Sequence, residues 1–148
     1  LPDGECLFCS ARVSTGRQSL VVARGQSCFV IVNLYPYNNG HIMVVPNRHV
    51  GSLTEATPAE LTELMMMASR AESALTEAYS PHGMNLGLNL GRSAGAGVPG
   101  HLHFHLVPRW DGDTNFMTVV GSTRIVPEEP IQTLERLAPI FERLTEED

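Results

Sequence analysis

The stretch GHLHFHLVPRW, residues 100–110, places His101, His103 and His105 at every second position, with Leu102, Phe104 and Leu106 between them. Successive side chains of a β-strand point to opposite faces. The three imidazoles are therefore expected on one face and the three apolar side chains in the core. At about 3.3 Å of rise per residue the rings spread over ~13 Å and line a surface.

Leu20–Ala23 and Cys28–Asn33 are rich in Val, Ile and Phe and are separated by RGQS, which reads as a hairpin. HIMVVP, residues 41–46, is a third short strand ended by a proline, so these segments form an antiparallel meander. Thr57 as N-cap, Pro58 in the first turn and Glu60 three residues on open a helix that runs to Tyr79. Leu61, Leu64, Met65, Ala68, Ala71 and Leu75 recur on one face of it. The Met65–Met67 run is expected to pack against the sheet or a second subunit. SPHG breaks this helix, and MNLGLNLG, residues 84–91, alternates as a strand with glycines where a ligand or another backbone comes close. From Pro127 the tail reads as a helix with Leu134, Leu137, Ile140 and Leu144 as its apolar positions, bent or interrupted at Pro139. The element order implies an α+β fold, with an antiparallel sheet of about five strands, one long helix and a C-terminal helix.

A chain of 148 residues with 43 % apolar content is long enough for one compact domain, taken here as 1–148, with a real core. A formal charge of −6 argues against the broad basic surface that nucleic acid would favour. A small phosphorylated ligand needs only backbone amides, neutral imidazoles and one or two arginines. No apolar run reaches the ~20 residues of a bilayer span, and LPDGECLFC lacks the basic and apolar regions of a signal peptide. A soluble, cytoplasmic protein without a membrane partner is expected.

Two chemistries suit the histidine strand. An H-x-H pair can present two nitrogens to one zinc ion. Alternatively, one neutral imidazole attacks phosphorus while its other nitrogen donates to a carbonyl that fixes the tautomer. The loop before the strand favours the second: Gly91, Gly95, Gly97 and Gly100 let backbone amides approach a phosphate closely, which a metal site does not need.

HLHFHLV matches the H-φ-H-φ-H-φ-φ signature of the histidine-triad (HIT) nucleotide hydrolases and transferases, and the resemblance covers nearly the whole chain. NLYPYNNGHIMVVP resembles the family's upstream strand-turn-strand with its fourth histidine, His41. PRWDGDTNFM, Pro108–Met117, is similar to the tail of bacterial and archaeal members near the fragile-histidine-triad and diadenosine tetraphosphate phosphorylase branch. The resemblance implies that His103 is the nucleophile that takes a nucleoside monophosphate as a covalent phosphoramidate. It makes His105 the group that touches the phosphate and helps the leaving group depart, with His41 beside the α-phosphate. Asn33 stands where relatives bind the ribose hydroxyls, Ile31 and Val32 near the base, and Asn89 where phosphate or ribose is supported. Diadenosine polyphosphates are the first substrates implied, then adenosine phosphoramidates or adenylyl sulfate, with water or inorganic phosphate as acceptor. Many relatives carry Gln, Ser or Thr shortly before the first triad histidine, where this chain has Ala96 and Gly97. Backbone amides around Gly95 and Gly97 must compensate, with Ser93 and Arg92 as side-chain candidates. That departure keeps a rival reading open, a zinc-stabilised module that binds AMP or another nucleotide with little turnover. A third reading, a zinc hydrolase using the three histidines as ligands, predicts immediate loss of activity on chelation.

Cys6 and Cys9 form a C-x-x-C pair at the N-terminal edge rather than at the strand-to-helix turn expected of a redox pair, which favours half of a zinc site. Cys28, alone within SCFVIV, reads as a buried hydrophobe. Resemblance to bacterial HIT proteins implies that His49 and His101 complete a structural Cys₂His₂ zinc site, with 1–19 as the zinc-binding segment and 127–148 as the helical tail. It also implies a homodimer joined through the long helix and an edge strand.

Overall fold

The computed structural model describes residues 4–113 and 128–148. Five strands, β1 (Val21–Arg24), β2 (Cys28–Val32), β3 (Ile42–Pro46), β4 (Gly83–Gly87) and β5 (Phe104–Arg109), form one antiparallel sheet in the order β1-β2-β3-β5-β4. β1 to β3 are the meander expected from the sequence. β5 is an interior strand, with His105 opposite Met43 on one side and Gly87 on the other.

β2 and β3 are buried along their whole length, and a strand covered on both faces has no polar face to alternate with. Cys28, Val30, Val32, Ile42 and Val44, with Leu106 of β5, enter one core with the helices α2 (Pro58–Tyr79) and α3 (Pro130–Glu147). Phe29, Ile31, Met43 and Val45 face the other way, against Phe8 and Ala11 of α1 (Leu7–Val13). Arg24 of β1 donates to the Arg12 and Ser14 carbonyls and so ties down the end of α1. The C-x-x-C pair sits at the start of this short helix: Cys6 is the N-cap of α1 and Cys9 lies inside it.

α2 begins as expected. Thr57 accepts from the Glu60 N–H, the Glu60 carboxylate accepts from the Thr57 N–H, and Pro58 sits in the first turn. The same carboxylate pairs with Arg48 at 2.8 Å, and this partner together with the Thr57 N–H holds the Glu60 pKa down at about 2. A depressed carboxylate contributes stability that is complete above its ordinary pKa, near 4.5, and is lost as pH falls toward 2. Acid unfolding followed by circular dichroism should therefore steepen below pH 4.5, and a Glu60→Gln variant should flatten that limb while unfolding more readily at pH 7.

Three boundaries differ from expectation. The strand expected over residues 84–91 is β4, Gly83–Gly87, after which the chain leaves the ladder. The histidine strand enters the ladder only at Phe104. α3 runs through Pro139 without interruption. Proline removes one backbone hydrogen bond there, but Leu134, Leu137 and Phe141 pack into the core with α2, and that packing outweighs the loss. Leu137 is fully buried, so Leu137→Ala should cost about 2–5 kcal/mol in urea unfolding.

None of the described helices is long and apolar enough to cross a membrane. Part of the Pro108–Met117 stretch and the tail's start at Pro127 lie outside the described residues.

Candidate active site and metal centre

Just before β5 the backbone is pinned elsewhere: the Leu102 N–H donates to the Val50 carbonyl at 2.7 Å and the His101 N–H to the Val98 carbonyl at 3.3 Å. The His101 carbonyl meets the ring of His103, with Nδ1 to O at 2.9 Å. A carbonyl can only accept, so Nδ1 of His103 carries the hydrogen and Nε2 keeps its lone pair. The three rings still lie on one side of the sheet. Phe8 of α1 contacts His101 and His103 at centroid distances of 5.5 and 5.0 Å, and His103 stands 4.9 Å from His105 at 70°.

A second chain of donors fixes the other two rings. The Tyr37 N–H donates to His41 Nδ1 at 3.1 Å, so the hydrogen of neutral His41 is on Nε2. That Nε2 lies 2.8 Å from His105 Nδ1, which must then accept, leaving the His105 hydrogen on Nε2. Burial, and then the neighbouring His103, push the His105 pKa down to about 4, so the ring is neutral near pH 7. Two adjacent imidazoles thus differ in what they offer: His103 a lone pair, His105 an N–H.

Both line a cavity of about 360 Å³ whose wall includes Phe8, Asn33, Met43, Gly95 and Gly97. The Asn33 amide also lies 3.3 Å from His41 Nε2, while its oxygen accepts from the Tyr35 N–H at 2.8 Å. Ile31 lies in the apolar layer with Phe8 and Met43, beneath this wall. Val32 packs on the opposite face of the sheet with α2, so its side chain does not reach the cleft: its neighbour in sequence takes the cleft side because strand side chains alternate. Ser93 and Arg92 sit in the exposed 3₁₀ turn Arg92–Ala94 and do not form part of the wall. Asn89 lines a different cavity, which also reaches His105.

Phe8 and Tyr37 were not singled out from the sequence. The Tyr37 ring lies 6.2 Å from His105, 17° from parallel. Its position in the turn four residues before His41 was visible, but its role depends on a backbone N–H, which every residue of that turn except Pro36 has. Trp110 meets Tyr79 edge-on at 6.4 Å, and His82 is exposed, accepting from the Asp111 N–H at 2.9 Å.

Cys6, Cys9, His49 and His101 come together at the other end of the histidine row, their ligand atoms all within 4.8 Å of one another. Sulfur-to-nitrogen distances are 3.3 Å for Cys6 to His101 Nδ1, 3.4 Å for Cys9 to His49 Nδ1 and 3.6 Å for Cys9 to His101 Nδ1. Tetrahedral zinc, with Zn–S near 2.3 Å and Zn–N near 2.0 Å, gives edges of about 3.5 Å. His101 Nε2 lies 2.7 Å from the Pro46 carbonyl and so carries the hydrogen, which turns the lone pair of Nδ1 toward the thiols. Burial pushes the His101 pKa down, which keeps the ring in its ligating, neutral form. Burial and then Cys6 push the Cys9 thiol up, a cost that a cation between the two sulfurs would reverse. A Cβ on Gly100 would stand 3.2 Å from His49 Nε2, so the missing side chain gives His49 its room. By donor set and spacing these four residues fit a closed metal site.

The HIT domain family model matches residues 15–112. Over 126 residues, 85 % of the chain, the sequence is 46 % identical to the AP-4-A phosphorylase of Mycobacterium tuberculosis. Over 95 residues, 64 % of the chain, it is 36 % identical to the asymmetrical bis(5'-nucleosyl)-tetraphosphatase of Schizosaccharomyces pombe. It spans 65 % of the length of the first relative and 52 % of the second. A zinc-bound histidine triad family protein from Mycobacterium smegmatis superposes with a TM-score of 0.76 over 97 % of this chain and 98 % of its own, at 24 % identity, which carries the fold. With the triad geometry, the antiparallel sheet and the matched domain in agreement, the chain belongs to the HIT family.

Proposed function

We propose that the histidine cleft transfers a nucleoside monophosphate from a diadenosine polyphosphate, or a related adenylylated compound, through a covalent intermediate on His103. The observation that carries this is the tautomer pair, a lone pair on His103 Nε2 beside an N–H on His105 Nε2, facing one cavity. His103 attacks the phosphorus, an N–P bond forms, and the P–O bond to the leaving chain breaks with its electron pair on oxygen. A polyphosphate leaving group needs no proton near pH 7, so His105 stabilises the charge by hydrogen bonding and remains neutral itself. His41 holds His105 in that tautomer. Water or inorganic phosphate then attacks phosphorus from its oxygen, the N–P bond returns its pair to His103, and the acceptor's proton passes to solvent. Splitting the transfer replaces attack by water on the intact anhydride with attack by a preplaced imidazole. The names of the two curated relatives support a dinucleoside tetraphosphate as substrate.

In this reading Asn33 binds ribose, Ile31 lies beneath the base, and the backbone around Gly95 and Gly97 meets phosphate; that Asn33, Gly95 and Gly97 line the cavity supports it. Cys6, Cys9, His49 and His101 would hold a structural Zn²⁺ that pins the segment 1–19 to the sheet and fixes the first triad histidine. Closed coordination by four protein ligands leaves it no catalytic position. Unpaired thiols in such a set suit a reducing compartment, in keeping with a cytoplasmic protein. The exposed Met65 and Met66 of α2 and the exposed edge of β4 support a homodimer.

Incubation with diadenosine tetraphosphate, with and without inorganic phosphate, tests the reading. ATP with ADP identifies phosphorolysis and ATP with AMP hydrolysis. AMP binding with no product from a panel of adenylylated compounds would instead establish the rival, a nucleotide-binding module.

A further inference from the structure

A second cavity, about 330 Å³, opens on the β4 side of His105, whereas the first lies on the β3 side; the two share Tyr37 and His105. It runs beside β4 and β5 from His105 and Gly87 past Asn85 and Val107 to Arg109, a length of ~13 Å along β5. Apart from Asn89, expected to support phosphate or ribose, and His105 at the junction, no role assigned so far uses its lining. Gly87 creates the space at its inner end. Directly opposed residues of a ladder project to the same face, so a side chain on Gly87 would stand beside the His105 ring, and a Cβ there would meet no atom within 4 Å.

At its outer end lies Arg109. The guanidinium gives Nε–H and one Nη2–H to Asp113, at 2.7 and 3.0 Å, and one Nη1–H to the Asn85 oxygen at 2.7 Å. That accounts for three of its five N–H groups and leaves two for a ligand. Asp113 is itself held by the Asn38 amide at 2.8 Å and the Trp110 N–H at 3.2 Å, so the guanidinium is presented from a fixed frame. Among the described residues Arg109 is the one cationic side chain that lines either cavity.

In-line displacement puts the leaving group on the side of phosphorus away from the nucleophile. With His103 on the wall of the first cavity and the His105 N–H at the junction, the departing oxygen lies toward the second. A dinucleoside polyphosphate also divides its charge unequally. The transferred nucleotide carries one phosphate, and the leaving chain carries the others and needs the cation.

Building on the reading of the cleft given above, we propose that this second cavity binds the leaving phosphate chain, a nucleoside di- or triphosphate, and that Gly87 and Arg109 set a preference for long anionic leaving groups over small ones.

Two measurements test this. Diadenosine tetraphosphate and adenosine 5'-phosphoramidate deliver the same nucleotide to His103 but differ in leaving group. The ratio of their kcat/KM values should fall about tenfold or more in Gly87→Val, which fills the cavity with a strand-compatible side chain, and a few-fold in the milder Gly87→Ala. A ratio equal to that of the parent protein in either folded variant overturns the proposal. The second measurement needs no turnover: inorganic tripolyphosphate is titrated by calorimetry into the parent protein saturated with AMP. Binding alongside AMP, weakened in Gly87→Val, is expected, whereas competition between the two ligands or equal affinity in the variant overturns it. Absence of any nucleotidyl transfer by the parent protein would refute the catalytic reading instead, with the titration still deciding the cavity.

Discussion

A Cys9→Ser variant is expected to lose the zinc proposed for the Cys₂His₂ cluster and to unfold roughly 10 °C below the parent protein, a loss of about 3 kcal/mol or more. The size follows from what the site joins. α1 contributes only Phe8 and Ala11 to the buried layer against the sheet, a small apolar area for holding a seven-residue helix in place. Cys6 and Cys9 lie at its start and within its first turn, and their partners come from distant segments, His49 after β3 and His101 before β5. Releasing the metal would leave two adjacent thiols and a buried imidazole in its place. Elemental analysis should give one zinc per chain in the parent protein and almost none in the variant, with calorimetry reporting the change in Tm. The effect on chemistry should be indirect. The His101 carbonyl is the acceptor for His103 Nδ1–H, so chelation should weaken turnover as α1 loosens. Activity lost at once on chelation, with the fold and Tm unaltered, would favour a catalytic metal and sink the structural assignment. A parent protein that binds no zinc would sink it outright.

The histidine row was legible because its alternation and the register of a strand share a period of two. His105 opposite Met43 and Leu106 opposite Ile42 put ring and core side chains on the faces expected. α2 was legible down to its cap, since Thr57, Pro58 and Glu60 act on their own backbone neighbours. What the sequence did not reveal depends on contacts distant along the chain. The departure of His101–His103 from the ladder is set by Val50 and Val98 carbonyls, and it gives His103 its tautomer. Pro139 was read as a helix breaker because local propensity says so, whereas Leu137 and Phe141 on either side of it are held by the core. The resemblance implied both Ile31 and Val32 near the base, although neighbours in a strand face opposite ways and Val32 packs against α2. Arg109 and Asp113 lie within the expected PRWDGDTNFM stretch, but their joint orientation toward Asn38 and Asn85 depends on β4 lying beside β5.

His103→Ala should reduce nucleotidyl transfer by about 10⁴-fold or more, the order seen when a covalent nucleophile is removed. The change deletes the attacking Nε2 and leaves the rest of the cleft in place. His41 and His105 keep their mutual hydrogen bond, and Asn33, Gly95 and Gly97 keep the wall of the cavity proposed to hold the nucleotide, so AMP affinity should move only a few-fold. The ring packs against Phe8 and donates to one carbonyl, so its loss should cost about 1–3 kcal/mol of stability, and circular dichroism should show an unaltered fold. Rapid acid-free quenching and mass spectrometry should find one adenylyl group on the peptide spanning His101–Arg109 in the parent protein and none in the variant. His105→Ala should be milder, about 10²–10³-fold, because it removes one hydrogen-bond donor from the developing negative charge rather than the bond-forming atom. Because His105 is neutral near pH 7, its own protonation should add no acid limb to turnover until pH approaches about 4. The decisive comparison is between the two variants. If His103→Ala turns over diadenosine tetraphosphate as fast as His105→Ala, or if the adduct maps to a residue other than His103, the covalent role belongs elsewhere in the cleft.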